Sequence, residues 1–329
     1  MKNIKIIATG GTISAKGRDR IDTKDYVSGH YTAEDFIELI PEIKDIANVE
    51  TTQLENFSST RIQTSHWITL RNMINKTLNE EQFDGVVVTH GTNTIEETAY
   101  FLHLTVNSDK PVVCVGAQRP FTAMGTDAGI NLLNAVRVAE SDKSIGKGVL
   151  VFANDEINSA REVSKTSTYR LETFQSGKLG FLGYVDPDQS VQYYRSPTKK
   201  HTNNSFFAKE NLSELKNVEI LYSYAGSNGD LIDFVTRSGQ YEGIVMAGTG
   251  AGRCSLEEDL ALTNAVEKGL VVVRSSRVGD DRVVPIENFD RFPCVTADNL
   301  SPQKARILLM LALSVTSEIS NIQEYFSEY

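Results

Sequence analysis

The feature that most constrains this chain is an apolar run that ends in paired glycines a few residues from its start. Residues 4–8 are apolar except for Lys5, and they lead through a threonine into Gly10, Gly11 and Thr12. Such a run is typical of a buried parallel strand, and open α/β sheets bind ligands at the carboxyl ends of these strands. Paired glycines permit positive φ and a close approach of backbone to a ligand. Taken alone, the pattern is equally compatible with an ordinary strand-to-loop turn.

A second stretch repeats this design and favours a ligand site. Residues 83–89 form another mostly apolar run that leads to Gly91 and Thr92, followed by an acidic, helical pattern from Ile95 onward. Parallel strands of one sheet end at the same edge, so two Gly-Thr sequences at two strand ends predict one site built from two loops.

Strand patterns alternate with helix patterns along the rest of the chain. Strands are predicted at residues 49–57, 111–117, 148–154, 218–224, 243–247 and 270–274, and helices at residues 32–40, 67–78, 126–140, 230–238, 256–267 and 302–314. This alternation predicts an α/β protein with a larger, doubly wound N-terminal domain and a smaller C-terminal α/β domain. We place the domains at residues 1–188 and 212–329, joined by a polar linker at residues 189–211.

The composition argues against several classes of partner. The formal net charge of −10 argues against nucleic acid and against an anionic membrane surface. No apolar run approaches the ~20 residues of a membrane span. The strand pattern begins directly after Lys2, without a secretory signal, so we expect a cytoplasmic protein. A processed, exported chain with a replacement methionine is the alternative.

The cysteines and histidines show no metal-ligand pattern. The three cysteines are widely spaced, and Cys114 lies in an apolar strand, where we expect a small buried side chain. We expect His90 to pack beneath its loop. The glycine-rich residues 248–252 lack the full dinucleotide fingerprint. We therefore expect no metal and no organic cofactor.

Six segments together resemble the bacterial L-asparaginase family of the type II kind, and the resemblance runs nearly from end to end. They are TGGT at residues 9–12, HGTNT at residues 90–94, EETAYFL at residues 96–102, VGAQRP at residues 115–120, VRSSRV at residues 273–278 and PQKAR at residues 302–306. The family carries HGTDT in the second segment, so Asn93 stands where the family has an aspartate.

The resemblance implies an amide hydrolase with a threonine nucleophile. In that mechanism Thr12 attacks the carboxamide carbon and forms an acyl-enzyme. Tyr26, in the long polar segment 16–30, assists the deprotonation of Thr12. Thr92 and Lys165 form a second pair that handles protons or water. Backbone N–H groups of the glycine-rich loops are expected to stabilise the oxyanion.

The resemblance also assigns substrate-binding positions, some of which differ from the family. Ser59 matches the serine that grips the substrate α-carboxylate, whereas its neighbours Thr60 and Arg61 do not match. Ala117 falls at a further substrate-binding position.

Asn93 is the departure with the clearest consequence. The family aspartate binds the substrate α-ammonium, and a neutral asparagine removes a charged contact worth roughly 2–5 kcal/mol if buried. Lys165 also loses a carboxylate neighbour, which should lower its pKa.

Further departures fall in the second domain. The resemblance implies homotetramers built from intimate dimers, in which this domain completes the site of a neighbouring subunit. Ala251 occupies the position of a family asparagine from that neighbour, and Arg253 lies two residues further. A carboxylate that helps to hold the ammonium falls at Glu287, with Asp280 and Asp281 as alternatives.

Two classes of function remain open on the sequence alone. An amide hydrolase is favoured over a catalytically silent sensor or binding protein of the same fold, because the chain keeps all four side chains of the catalytic set, Thr12, Tyr26, Thr92 and Lys165. Its small-molecule substrate is expected to be asparagine or an asparagine-like carboxamide. The departures at the site favour a carboxamide that lacks a free α-ammonium or carries extra negative charge. Arg61 and Arg253 either flank the pocket, where a guanidinium suits a carboxylate or phosphate, or point into solvent.

Overall fold

Strand β1 (Asn3–Gly10) forms where the first apolar run predicts it, next to the edge strand in the main sheet of the larger of two units. The computed structural model describes residues 1–286 and 291–329. Its two units are Met1–Asn211 and Leu212–Tyr329, and each is described by itself.

The first unit contains twelve strands and four α-helices in its described chain. The remaining strands are β2 (Lys16–Gly17), β3 (Tyr26–Val27), β4 (Asn48–Phe57), β5 (Gly85–Thr89), β6 (Val112–Val115), β7 (Val149–Ala153), β8 (Glu156–Ser159), β9 (Ser164–Lys165), β10 (Phe174–Gln175), β11 (Gly183–Val185) and β12 (Val191–Tyr193). The helices are α1 (Ala33–Leu39), α2 (Thr64–Asn79), α3 (Ile95–Thr105) and α4 (Ala128–Glu140).

The main sheet has the order β12-β11-β8-β7-β6-β5-β1-β4. Strands β4, β1, β5, β6 and β7 are parallel, and β8, β11 and β12 extend the sheet with antiparallel pairs. The chain moves from β1 to β4 on one side and then to β5 on the other. Ligands of open α/β sheets bind at such a reversal, outside the carboxyl ends of the strands. The expected doubly wound architecture is confirmed.

The core follows from the alternation of side chains along the parallel strands. Ile4, Ile6 and Ala8 of β1 are buried in one cluster with Phe36 of α1 and Leu132 of α4. Helix α1 begins where the sequence predicts it, because Thr32 and Asp35 form a reciprocal capping box. The sheet is therefore covered by helices and leaves the loops at its carboxyl edge to form a site.

Residues 189–211, expected to link two domains, fall within the first unit. They contain β12, which pairs with β11, and two short 3₁₀ helices. The buried Arg71 guanidinium donates to the carbonyl oxygens of Ala208 (3.0 Å) and Glu210 (2.7 Å). A three-residue strand in a polar segment gives too short a pattern to be recognised from sequence.

The second unit is a smaller α/β structure, as expected. Its parallel sheet has the order β13 (Val218–Tyr222), β14 (Gly243–Gly248), β15 (Val271–Ser276) and β16 (Val295–Thr296). The helices are α5 (Asp230–Ser238), α6 (Leu256–Glu267), α7 (Pro302–Leu313) and α8 (Ile319–Glu328). Helix α8 and strand β16 were not predicted from the sequence. In the described parts of both units, every helix is too short or too polar to cross a lipid bilayer.

Candidate active site

Close approaches at two glycines bring the strand-end loops together. Gly10 and Gly11 have φ values of 99° and 90°, which side chains rarely adopt. A Cβ atom on Gly11 would lie 2.3 Å from the Cα of Gly91, and one on Gly91 would lie 2.7 Å from the Oγ of Ser59. The loops after β1 and β5 and the short 3₁₀ helix Ser59–Arg61 therefore meet at a distance that only glycine permits.

The first pair of candidate catalytic side chains is Thr12 and Tyr26. Thr12 is buried and begins a 3₁₀ helix directly after Gly11. Its Oγ1 lies 3.0 Å from the Tyr26 hydroxyl. Tyr26 is carried by β3, which pairs with β2 in a hairpin whose Gly17 N–H donates to the hydroxyl of Thr122 (3.0 Å). The polar segment expected to be a long loop is thus partly a hairpin that holds the phenol on Thr12.

The second pair is Thr92 and Lys165. The Nζ of Lys165 donates to Thr92 Oγ1 at 2.8 Å, and the Thr92 hydroxyl also lies 3.1 Å from the Oε1 of Gln118. Thr92 is buried in the loop after β5, and Lys165 ends β9, which pairs with β10. The contact from Lys165 Nζ to Asn93 Oδ1 is long, at 3.5 Å.

Lys165 keeps a carboxylate nearby despite the asparagine at position 93. Burial lowers the pKa of Lys165 below its ordinary value, and the negative charge of Glu96 opposes this shift. The backbone N–H of Lys165 donates to the Glu96 carboxylate at 2.6 Å. The pKa of Lys165 is therefore lowered, in the expected direction, with burial as the main cause, and the effect of losing an aspartate at position 93 stays a prediction.

His90 packs beneath its loop, as expected. Its ring is fully buried, with Nδ1 2.8 Å from the carbonyl oxygen of Gly91 and Nε2 2.9 Å from the hydroxyl of Thr98. The indole N–H of Trp67 donates to the same hydroxyl at 2.9 Å. A carbonyl only accepts, so Nδ1 carries the proton and Nε2 accepts from Thr98. Burial lowers the pKa of His90 to about 4, which keeps the ring neutral near pH 7.

The candidate binding residues of the first unit occupy different environments. The hydroxyl of Ser59 is buried and has no hydrogen-bond partner within the described residues. Thr60 is exposed, and its hydroxyl lies 3.0 Å from that of Ser58. The Arg61 guanidinium is exposed and lies over the ring of Phe57, 5.1 Å from its centroid. Ser59 is therefore the buried polar group of this segment that a ligand oxygen would satisfy.

The other sequence-based candidates are positioned as follows. Ala117 is buried just after β6, and Asn93 is exposed beside Thr92. Ala251 and Arg253 lie in the second unit, in a turn closed by backbone hydrogen bonds between Thr249 and Arg253, and both are exposed. Asp280 and Asp281 are exposed too, and Glu287 lies outside the described residues.

Two residues at this site escaped the sequence analysis, Glu96 and Gln118. Glu96 lies in the first turn of α3, four residues after Thr92, and that spacing was an available signal. Gln118 contacts Thr92 from 26 residues away in the sequence, and no periodic pattern of residues predicts a contact over that distance.

Within the residues described, no three His, Cys, Asp or Glu side chains converge in a way that would hold a metal ion. Cys114 is fully buried, and burial raises its pKa to about 12, which disfavours the thiolate. The described part of the site offers hydroxyl groups, the Lys165 amine, the Glu96 carboxylate and the Gln118 amide.

Comparison with known proteins gives matches over the whole chain. Residues 3–199 match the family model described as asparaginase, N-terminal, and residues 217–326 match that of the glutaminase/asparaginase C-terminal domain. L-asparaginase 2 from Bacillus subtilis is 45% identical over 329 residues, covering 100% of this chain and 87% of that protein. A probable periplasmic L-asparaginase from Haemophilus influenzae is 42% identical over 331 residues, covering 100% of this chain and 93% of that protein.

A solved structure is similar over its full length as well. The crystal structure of a probable cytoplasmic L-asparaginase from Campylobacter jejuni superimposes with a TM-score of 0.96 at 41% sequence identity, and each chain covers 100% of the other.

Proposed function

This chain belongs to the asparaginase family, and from that membership we propose that it is an amidohydrolase that releases ammonia from asparagine or an asparagine-like carboxamide through a threonine nucleophile. The observation that carries the proposal is the pairing of Thr12 with Tyr26 at one strand end and of Thr92 with Lys165 at the next. A binding protein has no physical need for two such pairs.

The reaction proceeds in two steps. Thr12 Oγ1 bonds to the carboxamide carbon while its proton is taken up with the help of Tyr26. The C–N bond then breaks, and the leaving nitrogen takes a proton and departs as ammonia. In the second step a water molecule bonds to the acyl carbon, the bond to Thr12 Oγ1 breaks, and the carboxylic acid leaves.

Thr92 and Lys165 handle the protons of these steps. A hydroxyl is a weak nucleophile or acid until a base lies within hydrogen-bond reach, and the 2.8 Å contact meets that condition. The lowered pKa of Lys165 makes a neutral amine more accessible near pH 7. The tetrahedral oxyanion is stabilised by backbone N–H groups of the two glycine-containing loops.

The recognition of the substrate α-amino group is altered. Ser59 supplies a buried hydroxyl for the substrate carboxylate. Asn93 is neutral, so it cannot form the ion pair that an aspartate would form with an ammonium group. We therefore propose that free L-asparagine is a poor substrate compared with a relative that lacks a free α-ammonium or carries extra negative charge.

The assembled form is proposed to be a homotetramer with sites shared between subunits. The exposed apolar side chains of α5 and α6, such as Phe234 and Leu260, support an association through the second unit. In that assembly Arg253 points toward Thr12 of another chain. We also propose a cytoplasmic location. The similar protein from Campylobacter jejuni is called cytoplasmic, whereas the one from Haemophilus influenzae is called periplasmic.

Thr12→Ala tests the proposal. Ammonia release is measured on a panel of asparagine-like amides, and rapid acid quenching followed by mass spectrometry looks for an acyl group on the peptide that carries Thr12. We expect the variant to lose about three orders of magnitude or more in kcat and to form no acyl-peptide.

Thr9→Ala is the matched control, because Thr9 is a buried threonine of the preceding strand β1 whose hydroxyl donates to the backbone of Thr89 (2.9 Å). Near-full turnover by Thr12→Ala would refute the nucleophile. A wild-type chain that binds amides but releases no ammonia from any of them would favour the silent binding protein.

A further inference from the structure

The hydroxyl of Thr92 has two neighbours and only one proton to share. Lys165 Nζ lies 2.8 Å away and, as an ammonium, can only donate. The Oε1 of Gln118 lies 3.1 Å away and can only accept. The Thr92 proton is therefore bonded to Gln118, while the Thr92 oxygen accepts from Lys165.

The orientation of the Gln118 amide is fixed from its other end. Its Nε2 donates to the carbonyl oxygen of Arg170 at 3.1 Å, and a carbonyl cannot donate in return. The NH₂ group must therefore face Arg170, which turns Oε1 toward Thr92. The backbone N–H of Gln118 donates to the Asp127 carboxylate at 2.9 Å, and the next N–H, of Arg119, donates to the second carboxylate oxygen at 3.0 Å. The glutamine is thus anchored at the start of α4.

Arg170 belongs to a closed loop that directly follows Lys165. The backbone N–H of Thr166 donates to the carbonyl oxygen of Thr173 at 2.7 Å, and the Thr173 hydroxyl donates to the carbonyl oxygen of Ser167 at 2.6 Å. Gln118 therefore completes a ring of contacts. The ring runs from Thr92 to the Gln118 amide, from that amide to Arg170 in the loop, and back through Lys165 to Thr92.

We propose that Gln118 is a positioning residue for the Thr92–Lys165 pair, holding the Thr92 proton away from Lys165 at one end of its amide and the loop after Lys165 at the other. This role rests on the proposed function, since it gives the pair a part in turnover. Transfer of a proton from Thr92 to Lys165 requires the hydroxyl to leave Gln118, so the glutamine sets the resting arrangement of the pair.

Two substitutions separate this role from simple packing. Gln118→Met is similar in length but neither accepts from Thr92 nor donates to Arg170. Without the acceptor, the Thr92 hydroxyl is free to donate to the neutral amine of Lys165, which lowers the pKa of that amine. Gln118→Glu keeps an acceptor and adds a negative charge beside Lys165, which raises its pKa.

The charged groups around the pair are few in the described chain. Glu96 faces Lys165 from the first turn of α3, and Asp127 faces the backbone of Gln118 from the start of α4. Both carboxylates are present in Gln118→Met and in Gln118→Glu, so they do not explain why the pKa of Lys165 would move in opposite directions in the two variants.

The experiment measures Lys165 directly, without reference to a substrate. The full-length wild type, Gln118→Met and Gln118→Glu are labelled briefly with acetic anhydride across a range of pH, and acetylation of Lys165 is quantified by mass spectrometry. We expect the labelling midpoint to fall by ~0.5–1 pH unit in the Met variant and to rise by a similar amount in the Glu variant.

Steady-state kinetics give the second readout. We expect Gln118→Met to lose about tenfold in kcat with little change in KM, and Gln118→Glu to retain more kcat than the Met variant. The matched control is Gln192→Met, because Gln192 is also bonded at both ends of its amide, to Lys143 and Ser190 (3.0 Å each), but lies on the edge strand β12.

Midpoints that stay at the wild-type value, or that move in the same direction in both variants, overturn the proposal. So does a Met variant whose kcat equals that of the control, or whose loss of activity only follows a lower melting temperature. If the wild type hydrolyses no amide, the proposed function fails, while the labelling midpoints still decide whether Gln118 positions the pair.

Discussion

Asn93 is the side chain on which the proposed recognition of the substrate depends most. Asn93 is exposed at the strand end beside Thr92, and its Oδ1 lies 3.5 Å from the Nζ of Lys165. At that distance a neutral amide oxygen contributes little, whereas a carboxylate at the same position would attract both Lys165 and a substrate ammonium.

We predict that Asn93→Asp improves kcat/KM for free L-asparagine by ~10-fold or more, because each 1.4 kcal/mol of recovered binding to the transition state is a factor of ten. Initial rates of ammonia release at subsaturating substrate measure this. Asn107→Asp, an exposed asparagine changed in the same way, controls for added charge alone. High native activity on free L-asparagine at micromolar KM, or no gain from the substitution, would contradict the altered recognition site.

The residues of the site differ in how far sequence alone could identify them. Thr12 and Thr92 follow glycines at strand ends, and that pattern is visible in the chain. Lys165 and Tyr26 were assigned only through family resemblance, because a lysine or tyrosine in a polar loop has no local pattern. Gln118 lies in the family-like segment at residues 115–120, but it was given no role, since its contacts with Thr92 and Arg170 join segments that only the folded chain brings together.

At the scale of secondary structure, one buried chain of hydrogen bonds joins three elements. Trp67 of α2, Thr98 of α3 and His90 after β5 are linked in sequence, and the chain ends on the carbonyl oxygen of Gly91. It fixes the peptide group that precedes Thr92. The chain is satisfied only while His90 is neutral, because a protonated ring would have two N–H donors and would lose the bond from Thr98.

We predict a pH-dependent stability that originates at His90. The folded pKa is about 4 and the ordinary value is 6.5, so between these values the unfolded chain binds a proton that the folded chain does not. The free energy of unfolding should therefore fall by up to about 3 kcal/mol as the pH drops from 6.5 to 4.

Urea unfolding at several pH values, read by circular dichroism, measures this loss. His90→Gln should lack the His90 part of the pH dependence, while His30→Gln, at an exposed histidine, should keep it. Equal pH slopes for wild type and His90→Gln would show that the buried ring does not control acid stability.

Element prediction succeeded where patterns were long and failed where they were short. Strands β6, β7 and β14 lie within two residues of their predicted limits, because they are continuous apolar runs. Helices α5 and α6 match their predicted limits, and α6 begins at a capping box of Ser255 and Glu258. Strands β8, β11 and β12 have four residues or fewer, and β8 and β11 form antiparallel pairs that depend on partners elsewhere in the chain. The pairing of these short strands depends on how the rest of the chain folds, so no local sequence pattern predicts it.

At the scale of the whole molecule, the second unit presents apolar side chains to solvent. Leu231 and Phe234, one turn apart on α5, are 62% and 67% exposed. Leu256 and Leu260, one turn apart on the neighbouring helix α6, are also exposed. Contiguous apolar side chains of this kind mark contact surfaces in soluble proteins.

We predict that Phe234→Glu weakens self-association. Burying an unpaired carboxylate in an apolar contact is costly, so sedimentation velocity should show smaller species for the variant than for the wild type. Ammonia release should fall together with the assembled fraction if the sites are shared. Ile145→Glu, at an exposed apolar residue of the first unit, is the control. A fully active wild-type monomer would contradict shared sites.

The parallel order of the main sheet has a consequence for synthesis on the ribosome. Strand β1 pairs with β4 and β5 rather than with a hairpin neighbour, and Lys165 is made after Thr12, Thr92 and strand β8. The two halves of the chemistry thus leave the exit tunnel far apart in time. Under the proposed mechanism, a translation product that ends before Lys165 carries Thr12 and Thr92 without the amine, and it leaves the amide pool of the cell untouched.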